Sequence, residues 1–354
     1  KYDYPESINP VLSEATSAST SSNDTMLYNV LELYNEVKIN PNRIMTDHPK
    51  VEYNFIDGPF VELKGGIEGK NYKVSFYDGK KIIYDATFPT NHWARPSIKY
   101  FKNWVLNVKG IDNDFEWTHK FDPIGKKVFI TFESNALGDT IAWMPYVEEF
   151  RLKYNGQICV STHWNKLFDK AYPEIEFVPP GVTVHNLYAL LRIGCYENWD
   201  ENNKPKLNDN QSYGYSDTNR NPNGWRSIPL QKVATDILGL EYKEIRPRVN
   251  EFPAYETNEK YVTISEYSTM RAKQWNNLNG WYNVVKYLSE KGYKVLSLNN
   301  KESNTKGVIS IHNKDITEIV SILKGSKLHI GMGSGLSWLS WALQTPTIII
   351  SGFS

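Results

Sequence analysis

The C-terminal stretch of the sequence carries closely spaced glycines at the start of a predicted helix. The apolar run 328–330 predicts a short strand, Gly333-Ser334-Gly335 a turn, and residues 336–343 a helix that Thr345-Pro346 ends. The β-branched run 347–350 predicts a buried parallel strand. Backbone N–H groups and the helix dipole attract anions at a helix start. The turn therefore indicates a phosphate site, although packing of the helix on its strand is an equally good explanation.

A carboxylate follows an earlier predicted strand. The run KKVFITFES predicts the strand, and residues 135–139 form a turn that places Asp139 just before a helix starting at Thr140. A carboxylate at such a strand end can act as a general base on a hydroxyl group. Aspartate is also a favoured helix N-cap, which contributes about 1 kcal/mol. The residue alone does not separate these two roles.

A third polar segment follows the predicted strand KYVTIS. This loop, residues 266–275, contains hydroxyl and cationic groups of the kind that bind phosphate oxygens: Ser268, Thr269, Arg271 and Lys273. Glu302 follows the next predicted strand, YKVLSL, where a carboxylate could accept hydrogen bonds from ribose hydroxyls. An ordinary exposed loop would explain both segments equally well.

Two α/β series would have to position these groups. Residues 123–245 predict strands at 126–134, 157–163 and 176–178, with helices at 137–154, 164–171 and 228–238. Residues 246–354 predict a second series with helices at 279–291 and 317–323. Because ligands bind at the carboxyl ends of parallel strands, we expect two Rossmann-like domains facing a cleft. The second domain would hold a nucleotide-linked donor, and the first would activate an acceptor.

The N-terminal part of the chain has a different pattern. Residues 1–45 form a polar lead-in with one predicted helix, at 26–37. Residues 46–122 alternate apolar and polar positions between glycine turns, which predicts a small antiparallel β-domain of five to seven strands with a structural or docking role. The polar stretch 196–224 lacks periodicity, so we expect a lid, an insertion or disorder there.

Composition excludes several classes of function. The chain of 354 residues contains 40 Lys and Arg and 40 Asp and Glu, so its zero net charge argues against bulk nucleic-acid binding. No apolar run is long enough to predict a membrane span. The only cysteines, Cys159 and Cys195, predict neither a disulfide framework nor a metal site, which favours a cytoplasmic setting. Histidines are scattered, and we expect no metal site.

Several runs of residues resemble bacterial heptosyltransferases. Their acceptor-side loop and helix resemble LGDTIAWMPYVEEFR, their nucleotide-binding turn and helix resemble GMGSGLSWLSWALQTPTIIISG, and their lysine–tryptophan loop resembles STMRAKQW. Three further runs are closer to one branch, the autotransporter heptosyltransferases, which modify serine hydroxyls of secreted adhesins: SGLSWLSWAL, SGFS and IPLQKVATDILGLEYKEIRP. The resemblance covers residues 126–354, and the N-terminal β-domain also suits this branch.

This resemblance implies a GT-B type glycosyltransferase that transfers heptose from ADP-heptose, or a related sugar from another nucleotide sugar, with inversion. Asp139 would deprotonate the acceptor hydroxyl, and Lys273 would neutralise charge on the departing diphosphate. The resemblance and the loop chemistry together predict these donor-binding residues: Ser268, Thr269, Arg271, Trp275, Glu302, Gly333, Ser334, Gly335 and Leu336.

The sequence also departs from the wider family. Lipopolysaccharide enzymes carry Asp-Thr-Gly-Leu where this chain has Gly333-Ser334-Gly335-Leu336, and a histidine where it has Trp338. Both differences favour the autotransporter branch. The iron-binding four-cysteine finger of that branch follows SGFS, where this chain stops at Ser354. We therefore expect no iron-binding finger, no cofactor requirement for catalysis in this chain, and a second domain truncated at its C-terminus.

The expected partners are a nucleotide sugar and an autotransporter- or adhesin-like protein acceptor, and homo-oligomerisation is left open. Two alternatives remain at this point. One is a transferase that acts on a glycan or a flagellin-like protein with another nucleotide sugar. The other is an inactive scaffold or binding subunit of a glycosyltransferase complex.

Overall fold

The computed structural model describes residues 15–16, 48–194, 228–268 and 270–351, and the chain divides into two compact units. The first comprises residues 1–134, 146–163 and 174–243, and the second comprises residues 135–145, 164–173 and 244–354. The predicted helix at 26–37 and the polar stretch 196–224 lie outside the described residues.

The largest sheet of the first unit has seven strands. In spatial order they are β11 (Glu176–Val178), β10 (Gln157–Ser161), β9 (Lys127–Phe132), β13 (Ala189–Ile193), β2 (Lys50–Ile56), β3 (Phe60–Lys64) and β6 (His92–Ala94). The first five strands run parallel, and β3 and β6 complete the sheet antiparallel. β9 is buried at every position but its first, as its continuous apolar run predicts.

A second sheet of the first unit is wholly antiparallel. Its order is β5 (Lys81–Pro89), β4 (Asn71–Asp78), β7 (Trp104–Gly110) and β8 (Glu116–Lys120). A short ladder joins β1 (Ala15–Thr16) to β12 (Thr183–Val184). The strands predicted as one β-domain at 46–122 are therefore divided between two sheets, because β2 pairs with β13 as well as with β3. Alternating polarity predicts a strand but does not identify its partner.

The second unit contains a five-stranded parallel sheet. Its order is β16 (Ile309–His312), β15 (Lys294–Asn299), β14 (Tyr261–Ile264), β17 (His329–Met332) and β18 (Thr347–Ile350). Apolar side chains of β14, β15 and one helix form its core, with Trp281 and Val285 on the helix packed against Val262 and Val295. This sheet and the parallel strands of the first unit confirm the predicted α/β class.

The α-helices in the described residues are α1 (Leu137–Tyr154), α2 (Leu230–Leu238), α3 (Gly280–Glu290), α4 (Ile316–Gly325) and α5 (Gly335–Ala342). α4 begins with a capping box, in which Asp315 accepts from the Thr317 amide and Glu318 accepts from the Asp315 amide. The helix expected at 164–171 is wrong, since only a short 3-10 turn forms there, Asn165–Leu167. Strands β13 and β16 were not predicted.

Candidate active site

The glycine turn of the second unit links β17 to α5, as the sequence predicts. Ser334 has an extended backbone, with φ −141° and ψ 174°, and α5 begins at Gly335. The carbonyl of Ser334 accepts hydrogen bonds from the amides of Ser337 and Trp338, at 3.1 and 3.2 Å. The N–H groups of a helix's first residues have no partner within the helix, so those of Gly335 and Leu336 suit an anionic ligand.

Gly138 and Gly335 lie at a close contact between the start of α1 and the start of α5, where a side chain on either residue would be crowded. A Cβ atom on Gly335 would lie 2.9 Å from Leu137 Cβ and 3.2 Å from the amide nitrogen of Gly138. A Cβ atom on Gly138 would lie 3.0 Å from Cδ1 of Trp338. The start of α1 therefore rests directly on the start of α5, and the residue after Gly138 is Asp139. This contact lies wholly within the second unit.

Asp139 is half-buried in the first turn of α1. The amide of Thr140 donates to the Ala136 carbonyl at 3.2 Å, and the helix begins at Leu137, the first residue of the predicted run 137–154, rather than at Thr140. The expectation that Asp139 precedes the helix, where it could act as its N-cap, is wrong. A carboxylate within the first turn still interacts favourably with the helix dipole. The N-cap explanation is thereby weakened, and the general-base role of Asp139 stays a prediction.

Lys273 lies against the glycine turn. It ends a short 3-10 helix, Arg271–Lys273, and its half-buried side chain donates from Nζ to the carbonyl oxygen of Gly333 at 3.1 Å. An ammonium group has three donors, so Lys273 can hold this carbonyl and a phosphate oxygen together. The structure thus joins two sequence-predicted elements that lie far apart in the chain, while Arg271 on the same turn is exposed.

Among the described residues, the contacts of the other predicted donor-binding residues do not involve the glycine turn. Trp275 packs edge-to-face on Trp281 of α3, with ring centroids 5.5 Å apart, so its visible contact is with the core. The carbonyl of Ser268 accepts a hydrogen bond from Gln274 Nε2 at 3.1 Å. Glu302 is exposed in the loop after β15, and Thr269 lies outside the described residues. Their donor-binding roles stay predictions.

Sequence reasoning missed a buried carboxylate close to this loop. Glu266 follows β14 and is only 5% exposed. Ser297 Oγ donates to its Oε2 at 2.5 Å, and the Thr305 hydroxyl donates to its Oε1. The polar residues in and after β15 were the signal that could have indicated such a cluster: Ser297, Asn299, Ser303 and Thr305.

A buried histidine lies beneath the glycine turn. His329 on β17 is fully buried between two hydroxyl groups, with Nδ1 3.1 Å from Thr263 Oγ1 and Nε2 3.3 Å from Ser265 Oγ. Burial disfavours the charged imidazole and lowers the pKa of His329 to about 4. His329 is therefore neutral at physiological pH, and its hydrogen bonds stabilise the strand from which the glycine turn begins.

The depressed pKa of His329 makes stability depend on pH. Because the unfolded chain binds this proton near pH 6.5 and the folded chain only near pH 4, the contribution is complete above about pH 6.5 and is lost as the pH falls towards 4. Between pH 7 and pH 5 we expect the free energy of unfolding to drop by about 2 kcal/mol from this group. Urea titrations of the wild type and of His329→Asn at both pH values measure it. The pH-dependent drop should shrink in His329→Asn but not in a control, His185→Asn, at an exposed histidine; equal drops in all three would contradict the assignment.

The first unit contains a cavity of about 740 Å³ that none of the predicted site residues lines. It lies where the first half of β2 departs from the parallel strands, and Lys127 and Gln157 border it at the starts of β9 and β10. Ligands of open α/β sheets bind at the opposite, carboxyl ends of the strands. We therefore do not assign the donor to this cavity.

The described ranges contain neither a cluster of metal ligands nor a membrane-spanning helix. Within residues 48–194, 228–268 and 270–351, no three His, Cys, Asp or Glu side chains are grouped as a metal site requires. Cys159 is buried in β10, and burial raises the pKa of its thiol to about 12. Every helix in this part of the chain is too short or too polar to cross a bilayer.

The sequence matches known glycosyltransferases. The profile of glycosyltransferase family 9 (heptosyltransferase) matches residues 229–353. The autotransporter heptosyltransferase BAHTCr of Citrobacter rodentium is 31% identical over 89% of this chain and 76% of its own length. The autotransporter heptosyltransferase Aah of Escherichia coli is 33% identical over 74% of this chain. The match spans 66% of Aah, just under two thirds of that relative.

The fold also matches a solved relative. The iron-containing dodecameric glycosyltransferase TibC from enterotoxigenic Escherichia coli H10407 superposes with a TM-score of 0.72 and 27% identity, covering 89% of this chain and 82% of TibC. A second TibC structure, in complex with ADP-D-β-D-heptose, gives a TM-score of 0.73 at 26% identity. The superposition on TibC confirms the predicted α/β class.

One expectation about cofactors is overturned by this comparison. The sequence predicted no cofactor requirement and no iron-binding element, yet the solved relative is described as iron-containing. The prediction was wrong because it rested on the two scattered cysteines and on the end of the sequence at Ser354, and neither decides whether iron is bound. The described residues do not fit an iron centre, since they lack a ligand cluster and bury Cys159 with a protonated thiol. Cys195 lies outside them.

The residues matched by the family 9 profile, 229–353, include the glycine turn and the Lys273 loop. BAHTCr and Aah are both described as autotransporter heptosyltransferases. The chain belongs to the autotransporter heptosyltransferase family.

Proposed function

We propose that this chain transfers a heptosyl group from ADP-heptose to serine or threonine hydroxyls of an autotransporter-like protein, with inversion at the anomeric carbon. The observation that carries the proposal is the contact of the α1 start with the α5 start, with Lys273 bonded to the same turn. This contact supports the proposal because it brings the helix turn that carries Asp139 close to the glycine turn. The ADP-heptose complex of TibC and the names of the relatives support the choice of donor and acceptor.

The proposed reaction assigns a step to each element. Asp139 takes the proton of the acceptor hydroxyl as its oxygen attacks the anomeric carbon of the donor. A new carbon–oxygen bond forms while the bond from the anomeric carbon to the diphosphate breaks. The electron pair of that bond leaves with ADP, whose added negative charge is stabilised by the N–H groups at the start of α5 and by Lys273. Asp139 is left protonated and returns its proton to solvent.

The test is a transfer assay with the purified chain and a serine-rich autotransporter passenger fragment. With ADP-heptose we expect release of ADP and a mass gain on the fragment of one heptosyl residue for each modified hydroxyl. UDP-glucose and GDP-mannose in place of ADP-heptose should release little nucleotide. Transfer to a glycan acceptor but not to the protein fragment would contradict the proposed acceptor. Absence of ADP release with every acceptor would contradict the proposed activity.

Self-association is part of the same proposal, because TibC is described as dodecameric. Light scattering on the active preparation gives the mass of the particle, and a strictly monomeric active species would contradict this part. The cytoplasmic setting predicted from cysteine usage also stays a prediction.

A further inference from the structure

Glu266 is a buried carboxylate at the carboxyl edge of the sheet in the second unit. It is 5% exposed, and three side chains donate to it. Ser297 Oγ donates to Oε2 at 2.5 Å and Asn299 Nδ2 donates to Oε2 at 3.3 Å, while the Thr305 hydroxyl donates to Oε1. The backbone amide of Glu266 in turn donates to Asn299 Oδ1 at 3.2 Å.

The groups that bind the Glu266 carboxylate are unusual for a buried carboxylate. A buried carboxylate is costly unless it is paired with a cation or fully hydrogen-bonded. The donors to Glu266 among the described residues are neutral hydroxyl and amide groups. Its two oxygens are thus held by groups from two different parts of the chain, which fixes the carboxylate and its donors relative to one another.

The parts it joins are the end of β14, the end of β15 and the loop 300–308 that leads to β16. Thr305 lies in this loop, and its amide bonds Ser303 Oγ at 3.1 Å. A second contact reaches the same loop, because Lys301 Nζ lies 4.3 Å above the ring of Tyr267. The segment after β14 therefore holds loop 300–308 at both Lys301 and Thr305.

The distance from the glycine turn to loop 300–308 is one that a nucleoside diphosphate could span. The anion-binding turn follows β17, and the sheet order β17, β14, β15 places the end of β15 two strands away. Strands are spaced by about 4.8 Å, so the two strand ends are roughly 10 Å apart. A diphosphate at the start of α5 would extend its nucleoside across β14 to loop 300–308, which carries the exposed Glu302.

We propose that Glu266 is a positioning residue that, through Thr305, holds loop 300–308 in place to recognise the nucleoside half of the donor. This inference rests on the proposed function, since it takes the donor to be a nucleotide sugar. Glu266 is too deeply buried to bind the nucleoside itself. Glu266 acts through the loop. It should therefore influence the affinity for the nucleoside and leave the affinity for the diphosphate unchanged.

The test compares three variants by calorimetry with two probes, ADP and inorganic pyrophosphate. Thr305→Val removes the hydroxyl donor with little change of shape, and Glu266→Gln removes the carboxylate. Both should raise the Kd for ADP about fivefold, and the KM for ADP-heptose in parallel, with kcat nearly unchanged. The Kd for pyrophosphate should stay at the wild-type value. The control variant Thr305→Ser keeps the hydroxyl and should bind ADP with wild-type affinity.

The outcomes separate this inference from the proposed function. If the wild type binds ADP and Thr305→Val and Glu266→Gln bind it equally well, the positioning role is overturned alone. Equal weakening of ADP and pyrophosphate would also overturn it, because it would show a general loss of structure. If the wild type binds ADP with the expected variant pattern but transfers no sugar, only the proposed function fails. A wild type that does not bind ADP overturns both.

Discussion

Replacing Asp139 with asparagine is expected to lower kcat about 10³-fold, because a positioned general base contributes roughly 10²–10⁴-fold to such a reaction. Asparagine has nearly the same shape as aspartate but cannot accept the hydroxyl proton. The start of α1 is held by the packing of Gly138 on Gly335 and Trp338, which the substitution leaves in place. The Kd for ADP should therefore change by less than about threefold. Single-turnover transfer from ADP-heptose measures the chemical step directly.

A matched control separates catalysis from folding in this experiment. Asp114→Asn changes an exposed aspartate in the first unit and should leave kcat unchanged. Thermal unfolding should show Asp139→Asn within about 1 kcal/mol of the wild type, since the loss is that of a favourable charge near a helix start. A variant that transfers heptose at the wild-type rate would remove Asp139 from the mechanism. A large fall in unfolding temperature would instead assign it a structural role.

Replacing Lys273 with methionine is expected to weaken ADP binding at least tenfold. A hydrogen bond to a charged group contributes about 1.5–3 kcal/mol, which corresponds to roughly 10- to 150-fold in affinity. The variant also removes the bond from Nζ to the Gly333 carbonyl, so the glycine turn loses a support. A fall in kcat should accompany the loss of affinity, because charge on the diphosphate is greatest as it departs.

Salt and a second lysine provide the controls for Lys273. The difference in ADP affinity between wild type and variant should decrease as ionic strength rises, because part of it is electrostatic. Lys286→Met removes an exposed lysine of α3 whose nearest carboxylate, Glu290, is 3.9 Å away, and should bind ADP like the wild type. If Lys273→Met retains wild-type affinity and kcat, the lysine only supports the turn in the ligand-free chain.

The local features of the second unit could be predicted from the sequence. The run 347–350 forms β18 with the predicted ends, and α5 begins within one residue of its predicted start. These elements are encoded by neighbouring residues: apolar runs, β-branched side chains and glycines at a turn. The same is true of the lysine-bearing loop and of the order of strands and helices along the chain.

The partners of these elements were decided by tertiary structure. The sequence did not indicate that β2 would pair with β13, which divides the predicted β-domain between two sheets. It misplaced Asp139 relative to the start of α1. It also missed Glu266, because a single glutamate after a strand resembles many exposed glutamates until its burial and three donors are known.

The glycine turn shows the division between sequence and structure. Residues 331–336 by themselves establish a turn at a helix start, since backbone conformation there depends on the glycines and their neighbours. Only the folded second unit brings Lys273 onto Gly333 and the start of α1 onto Gly335. Those contacts join residues separated by 60 positions in one case and by nearly 200 in the other. The packing of whole helices and strands determines which distant residues meet, and a local sequence pattern does not predict it.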